Sequence, residues 1–178
     1  SGALPAPLVM VADLAFLPLL AAKIATQLVK RPKPQNVMFL GLLSIIWIAN
    51  LMVHLEWMAV TDDTALQGLR AGIYGLCAMI AVLGGRVTPA FTRNAMVREG
   101  VETGLPVSRK PLEISGVALA IILPIAVMLR LPDPWVAVLM IVCGLLQIAR
   151  TAGWRPAFAA RQPILWSLHL SFALVGFG

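Results

Sequence analysis

Four ionisable side chains, Asp13, His54, Glu56 and His169, stand in or beside long apolar runs of this 178-residue sequence. An imidazole can ligate a metal, and a carboxylate bonded to one ring nitrogen fixes the other for that task. Inside a membrane span an ionisable group costs about 3 kcal/mol on insertion scales, so it faces a bundle interior and has a partner. Cys77 and Cys143 are the two cysteines. A copper site of Cys143 with His169 is chemically open, while the plainer use of both thiols is as small apolar filling. Arg86 and Arg93, within "GGRVTPAFTR", could grip an oxyanion with their forked guanidinium groups. They could equally anchor a helix end by snorkelling at the membrane boundary.

Helices in a bilayer must position these residues. The chain is 60% hydrophobic and 12% charged, against about a quarter charged in a soluble domain. Apolar stretches of about 20 residues, the length that crosses a bilayer, recur along it. The expected fold is all-α, a polytopic transmembrane helical bundle of about six helices, read as one section over 1–178. The spans fall near 6–28, 37–60, 66–85, 112–131, 135–151 and 163–178. The chain opens on "SGALPAP" without an initiator Met and stops within an apolar run, so we expect a middle section of a longer protein, whose remaining helices would be its partners together with the lipid.

The net charge of +6 is explained by topology. Of the 14 basic residues, all but Arg70 and Arg130 lie in or flank one set of connections. The positive-inside rule makes that set, near 30–35, 86–111 and 150–162, cytoplasmic. The basicity therefore reports orientation, and nucleic acid is not expected as a partner. The sequence carries no CxxC pair, Walker loop, GxSxG or HExxH, so no reaction is assigned from a motif.

Depth can be counted from the turn near 30–35. Asp13 and His54 each lie about 20 residues from it, which at 1.5 Å per residue puts them level in the outer third of the bilayer. Asn50 shares the His54 face, with Trp47 and Trp57 on the same stripe. Two outcomes are open: a carboxylate-oriented metal ligand, or a hydrogen-bonded pair that holds the hairpin. Glu56 falls on another face, near the outer boundary, and is expected to be solvated. His169 counts to a depth roughly 15 Å from His54, too far apart for both to be axial ligands of one haem. Gly68 and Gly72 have the spacing that lets helices pack closely, and Thr61 or Asp62 suits the N-cap of span three. Gly84, Gly85 and Pro89 are read as ending that span.

"GGRVTPAFTRNAM" (84–96) strongly resembles the Gly-Gly-Arg-Val-x-Pro-x-Phe-Thr-x-Asn signature of the NnrS family of bacterial inner-membrane proteins. "VADLAFLPLL" (11–20), "ANLMVHL" (49–55) and "PILWSLHLSFA" (163–173) are similar to further blocks of that family, in order. The resemblance implies a protein of about twelve transmembrane helices that contains haem and copper and serves denitrification and the response to nitric oxide and nitrosative stress. Nitric oxide or its products would be its small-molecule partners. On that footing Asp13, His54, Arg86, Pro89, Thr92, Asn94 and His169 match family motif positions. His54 and His169 would be ligands, Asp13 would orient His54, and Arg86 with Arg93 would clamp an anionic group. Ser171-Phe172 stands where a Gly-Tyr pair is expected, which removes a tyrosine from that block. From a different class, a secondary transporter or channel section without a cofactor is the competing expectation, with Pro18 and Pro124 marking broken helices. The clustering of polar residues towards the two faces argues against it.

Overall fold

The computed structural model describes residues 5–30 and 34–177, and they contain helix, turns and connections but no strand. In chain order the helices are α1 (Ala6–Lys30), α2 (Pro34–Trp57), α3 (Ala65–Arg98), α4 (Lys110–Met128), α5 (Asp133–Ala152), α6 (Pro156–Ala159) and α7 (Pro163–Phe177). The first five are long and apolar enough to cross a membrane, while α7, with 15 residues, is shorter. The chain is thus a multi-pass, all-helical membrane protein. Arg31 and Lys33 of the first connection lie outside the described residues.

Backbone contacts divide the chain into two units, Ser1–Leu76 with Leu123–Leu131, and Cys77–Ile122 with Pro132–Gly178. In the first unit α1 and α2 form an antiparallel hairpin. The start of α3 lies against α2 through the expected small-residue stripe. A Cβ on Gly68 would sit 2.5 Å from the Ala49 carbonyl oxygen, and one on Gly72 would meet only the Ala49 methyl at 3.8 Å. Without a hydrophobic driving force between helices in lipid, such close backbone approach is what holds them. Gly68→Ala should therefore lower the stability of the detergent-solubilised protein by about 1–2 kcal/mol, read as a lower denaturation midpoint, whereas Gly72→Ala should change it little.

Glu56 departs from expectation. Its carboxylate accepts the Ala65 N–H at 2.5 Å and so caps α3, while Thr64, just before the helix, donates its hydroxyl to the Met52 carbonyl at 2.9 Å. A carboxylate at a helix N-terminus meets both the free N–H groups and the positive end of the helix dipole. Neither Thr61 nor Asp62 performs that role. Instead Thr61 shares a hydroxyl contact with Thr64, and the Asp62 and Asp63 carbonyls accept from Arg130.

In the second unit α5 packs along α7, with α6 against the start of α7. Pro132 caps α5 and Pro134 occupies its first turn, as the hairpin "RLPDPW" implied. The larger correction concerns α3. It runs on through Gly84, Gly85 and Pro89 to Arg98, so the connection expected over 86–111 shrinks to about 99–109. A proline inside a helix removes one hydrogen bond, but packing by neighbouring elements sustains the helix around it. Here Thr88 and Thr92 are fully buried, and the Thr92 hydroxyl donates to the Thr88 carbonyl at 2.9 Å.

The shortened connection is fastened to the α5–α6 corner. Val107 N–H donates to the Gly153 carbonyl at 3.0 Å. Arg155, held in the left-handed region at φ 60°, donates from Nε to the Gly104 carbonyl at 2.5 Å. Gln162 Nε2 donates to the Glu99 carboxylate.

Candidate functional site

Two polar clusters stand out, one in each unit. In the first, α1 supplies Asp13 and α2 supplies Asn50 and His54, one helical turn apart. Asp13 Oδ2 accepts from His54 Nε2 at 2.9 Å and from Asn50 Nδ2 at 2.6 Å. The depth count that levelled Asp13 with His54 is matched by this contact. Trp47, one turn below Asn50 on the same face, donates from its indole to the Leu14 carbonyl at 2.9 Å, tying the hairpin again beside the carboxylate. Trp57 packs edge-on to the imidazole with centroids 5.5 Å apart.

The two partners differ sharply in exposure. The His54 side chain is 7% exposed and that of Asp13 is 54%. With its Nε2 proton committed to Asp13, neutral His54 presents only the Nδ1 lone pair to a ligand, and Nδ1 makes no hydrogen bond among the described residues. This is the carboxylate–histidine pairing that orients an imidazole towards a metal. Among the described residues no group of three or more His, Cys, Asp or Glu side chains gathers at metal-binding spacing. A metal at His54 would therefore draw its other ligands from elsewhere.

The second cluster lies at the Ala152 end of α5. His169, on α7, is buried and faces two carbonyls: Nδ1 is 2.9 Å from Leu165 O and Nε2 is 3.3 Å from Trp154 O. A neutral imidazole has one N–H, so only one of these contacts is a hydrogen bond, and the shorter contact, at Nδ1, is the better one. For Nε2 to take a metal, the Trp154 carbonyl would have to yield the position. Trp154 itself is buried between His169 and Phe172, with ring centroids 6.3 and 4.7 Å away. Phe172 also lies against Gly84, whose added Cβ would be 2.8 Å from its ring. His54 and His169 thus belong to different units.

Arg86 and Arg93 are both exposed and sit on α3, not in a loop. Seven residues apart, they share one side of the helix at a separation of about 10 Å along its axis. Asn94, of the same motif, is exposed, and its carbonyl accepts from Arg98 Nε at 3.4 Å.

Reasoning from sequence missed the polar core of this unit, which is Gln147 and Arg150. It treated Arg150 as a charge in a connection that marks the inside face. The structure places it in α5 with 5% exposure. Its Nη1 donates to Gln147 Oε1 at 2.6 Å and to the Ala81 carbonyl at 3.2 Å. Gln147 Nε2 in turn donates to the Gly116 carbonyl at 2.8 Å, with Cys143 Sγ 3.8 Å away. Cys143 is thereby buried beside an amide, and both cysteines are free thiols. A Gln and an Arg three residues apart in an apolar helix share a face, and that spacing was the available signal.

No curated protein and no solved structure matches the chain. The sequence model of the family described as "NnrS protein" matches residues 1–178, the whole of the sequence, and the chain therefore belongs to the NnrS family, as a membrane protein of the nitric oxide response.

Proposed function

We propose that the chain is the haem- and metal-binding section of a bacterial inner-membrane protein that protects against nitrosative stress, with His54 as a metal ligand through Nδ1. The observation that carries this reading is the 2.9 Å bond from His54 Nε2 to Asp13, which orients a buried imidazole and leaves one lone pair free. Asp13 fixes the tautomer of that imidazole, and Asn50 holds the carboxylate in place. His169 serves as a ligand at a second site once the Trp154 carbonyl moves aside. Arg86 and Arg93 provide the exposed clamp for an anionic group such as a haem propionate. When bound, haem or copper supplies a coordination position for a small ligand such as nitric oxide. The part of this chain is to hold and orient that centre and, through its apolar helices, to exclude water from it. The remaining helices of the protein supply the ligands that the described residues lack.

The test is made on full-length protein in detergent, with oxidised and reduced absorption spectra recorded beside iron and copper analysis. The wild type should show a Soret band with stoichiometric iron. His54→Ala should shift or abolish it or remove bound copper, and Asp13→Asn should weaken metal retention about ten-fold. A colourless, metal-free protein that elutes as a single folded species would end this reading. Accumulation of a solute in proteoliposomes would then favour a cofactor-free transporter.

A further inference from the structure

The Asp13 carboxylate is bonded through one oxygen only. Both donors that reach it, His54 Nε2 and Asn50 Nδ2, bond to Oδ2. Oδ1 makes no hydrogen bond among the described residues, although an ionised carboxylate offers about four acceptor positions. The side chain is 54% exposed, within the stretch Pro7–Thr26 that is long and apolar enough to cross a membrane. Asp13 stands about 10 Å along the helix from Ala6, and its short side chain does not reach back to the membrane surface from there. Lipid tails have no donor to offer, and an ionised group turned towards them is costly.

The rest of α1 is open on the same side. Between Pro7 and Thr26 no residue is buried. Met10, Leu14, Leu17, Ala21 and Ile24, spaced by three and four, are partly buried and mark the flank that packs on α2. Beside that stripe, Val9, Phe16 and Leu20 share the Asp13 face and are exposed. The carboxylate thus lies in the middle of an apolar helix face that nothing in its unit covers.

Whatever covers this face brings apolar area and a hydrogen-bond donor at one depth. Lipid lacks the donor. A second copy meeting on the same patch sets Asp13 against Asp13, because a two-fold interface pairs like with like. With His54 neutral, the cluster of Asp13, Asn50 and His54 carries one uncompensated negative charge, so the complementary donor is a cation. A charge that needs cover whenever it is in the bilayer is best met by a tethered helix, whose effective concentration does not depend on an encounter.

From these features we infer that the Val9–Asp13–Phe16–Leu20 face of α1 is the docking surface for a further transmembrane helix of the same polypeptide, one that carries an arginine or lysine at the depth of Asp13 and donates to Oδ1. That helix lies outside these 178 residues. Its cation supplies the missing charge, and its bond to Oδ1 holds Oδ2 towards His54. The inference takes the neutral His54 and the further helices from the proposed function, but it needs no metal.

The experiment is photo-cross-linking of the full-length protein in native membranes, with p-benzoylphenylalanine in place of Phe16. Val9, one turn from Asp13 in the other direction, is the second probe position should the Phe16 variant not accumulate. The cross-linked peptide is identified by mass spectrometry. The expected product has the mass of one polypeptide and joins α1 to another apolar helix with an arginine or lysine within about one turn of the attachment point. Asp13→Asn, which keeps an acceptor oxygen for His54 and Asn50, should lower the denaturation midpoint. Exchange of that basic residue for Gln in the Asp13→Asn background should recover most of the loss, since it removes the stranded cation. Cross-linking to lipid alone overturns the inference, as does a product heavier than one polypeptide, which marks a second copy or another protein. A partner helix without a basic residue near the attachment point, or additive losses in the double variant, overturns it equally. Iron and copper analysis of the same membranes keeps the two readings apart: a metal-free protein that still gives the expected cross-link ends the metal reading and leaves this one standing.

Discussion

Gly144→Ala should cost about 3 kcal/mol of stability, near the upper end for overpacking, and Gly144→Leu should leave no folded protein to purify. Gly144 lies in the body of α5, where its missing side chain admits the α7 backbone: an added Cβ would collide with the Gly176 carbonyl oxygen. The contact is reciprocal, because a Cβ on Gly176 would lie 3.0 Å from the Gly144 carbonyl and 2.8 Å from Ile148 Cγ1. The Gly144 clash is with backbone, so α5 and the last turn of α7 must move apart. The check is the denaturation midpoint of the purified variant together with its size-exclusion profile. A Gly144→Ala protein as stable as wild type would mean that α5 and α7 do not cross so closely.

The second large effect concerns Gly85 and is expressed as a coupling. The three nearest atoms to a Cβ built on Gly85 all belong to the Arg150 guanidinium. Gly85→Ala alone should therefore cost about 3 kcal/mol, since it pushes a buried cation off its hydrogen bonds. Arg150→Met alone strands Gln147 Oε1 without its donor, at about 1–3 kcal/mol. In the double variant the added methyl meets empty space, so Gly85→Ala should then add less than about 1 kcal/mol. Such sub-additivity is the mark of direct contact. Full additivity of the two losses would place the guanidinium away from Gly85.

This pair also shows where the sequence was and was not legible. The two glycines in "LGGRVTP" admit the side chains of Phe172 and Arg150. Their reading as a helix end, together with Pro89, failed because stop signals are local, and what overrides them here is tertiary. Phe172 covers Gly84, and Arg150, sixty-five residues further on, covers Gly85. No pattern within ten residues announces either. The Asp13–His54 contact was legible because α1 and α2 form a tight antiparallel hairpin, where depth follows from counting residues on either side of one turn. Glu56 was misjudged by the same method. Counting gave its depth and face but not the course of the chain after Trp57, which turns back so that its carboxylate meets the start of α3. Gln147 and Arg150 were overlooked because a basic residue near a span end usually marks orientation, and burial is what tells the two uses apart.

The length of α3 has a mechanical meaning. Its 34 residues make a rod of roughly 51 Å, against a hydrocarbon core of about 30 Å. Even tilted by about 40°, the steep end of the range for membrane helices, it would extend about 39 Å along the bilayer normal. The polar residues Arg86, Thr88, Thr92, Arg93, Asn94 and Arg98 all lie in its last four turns, so the overhang falls at that end. The family signature, which begins at Gly84, is therefore carried on a strut that stands clear of the acyl chains. The thickness of the host membrane sets how far the signature stands out, and a thicker bilayer would draw its first turn back among the lipids.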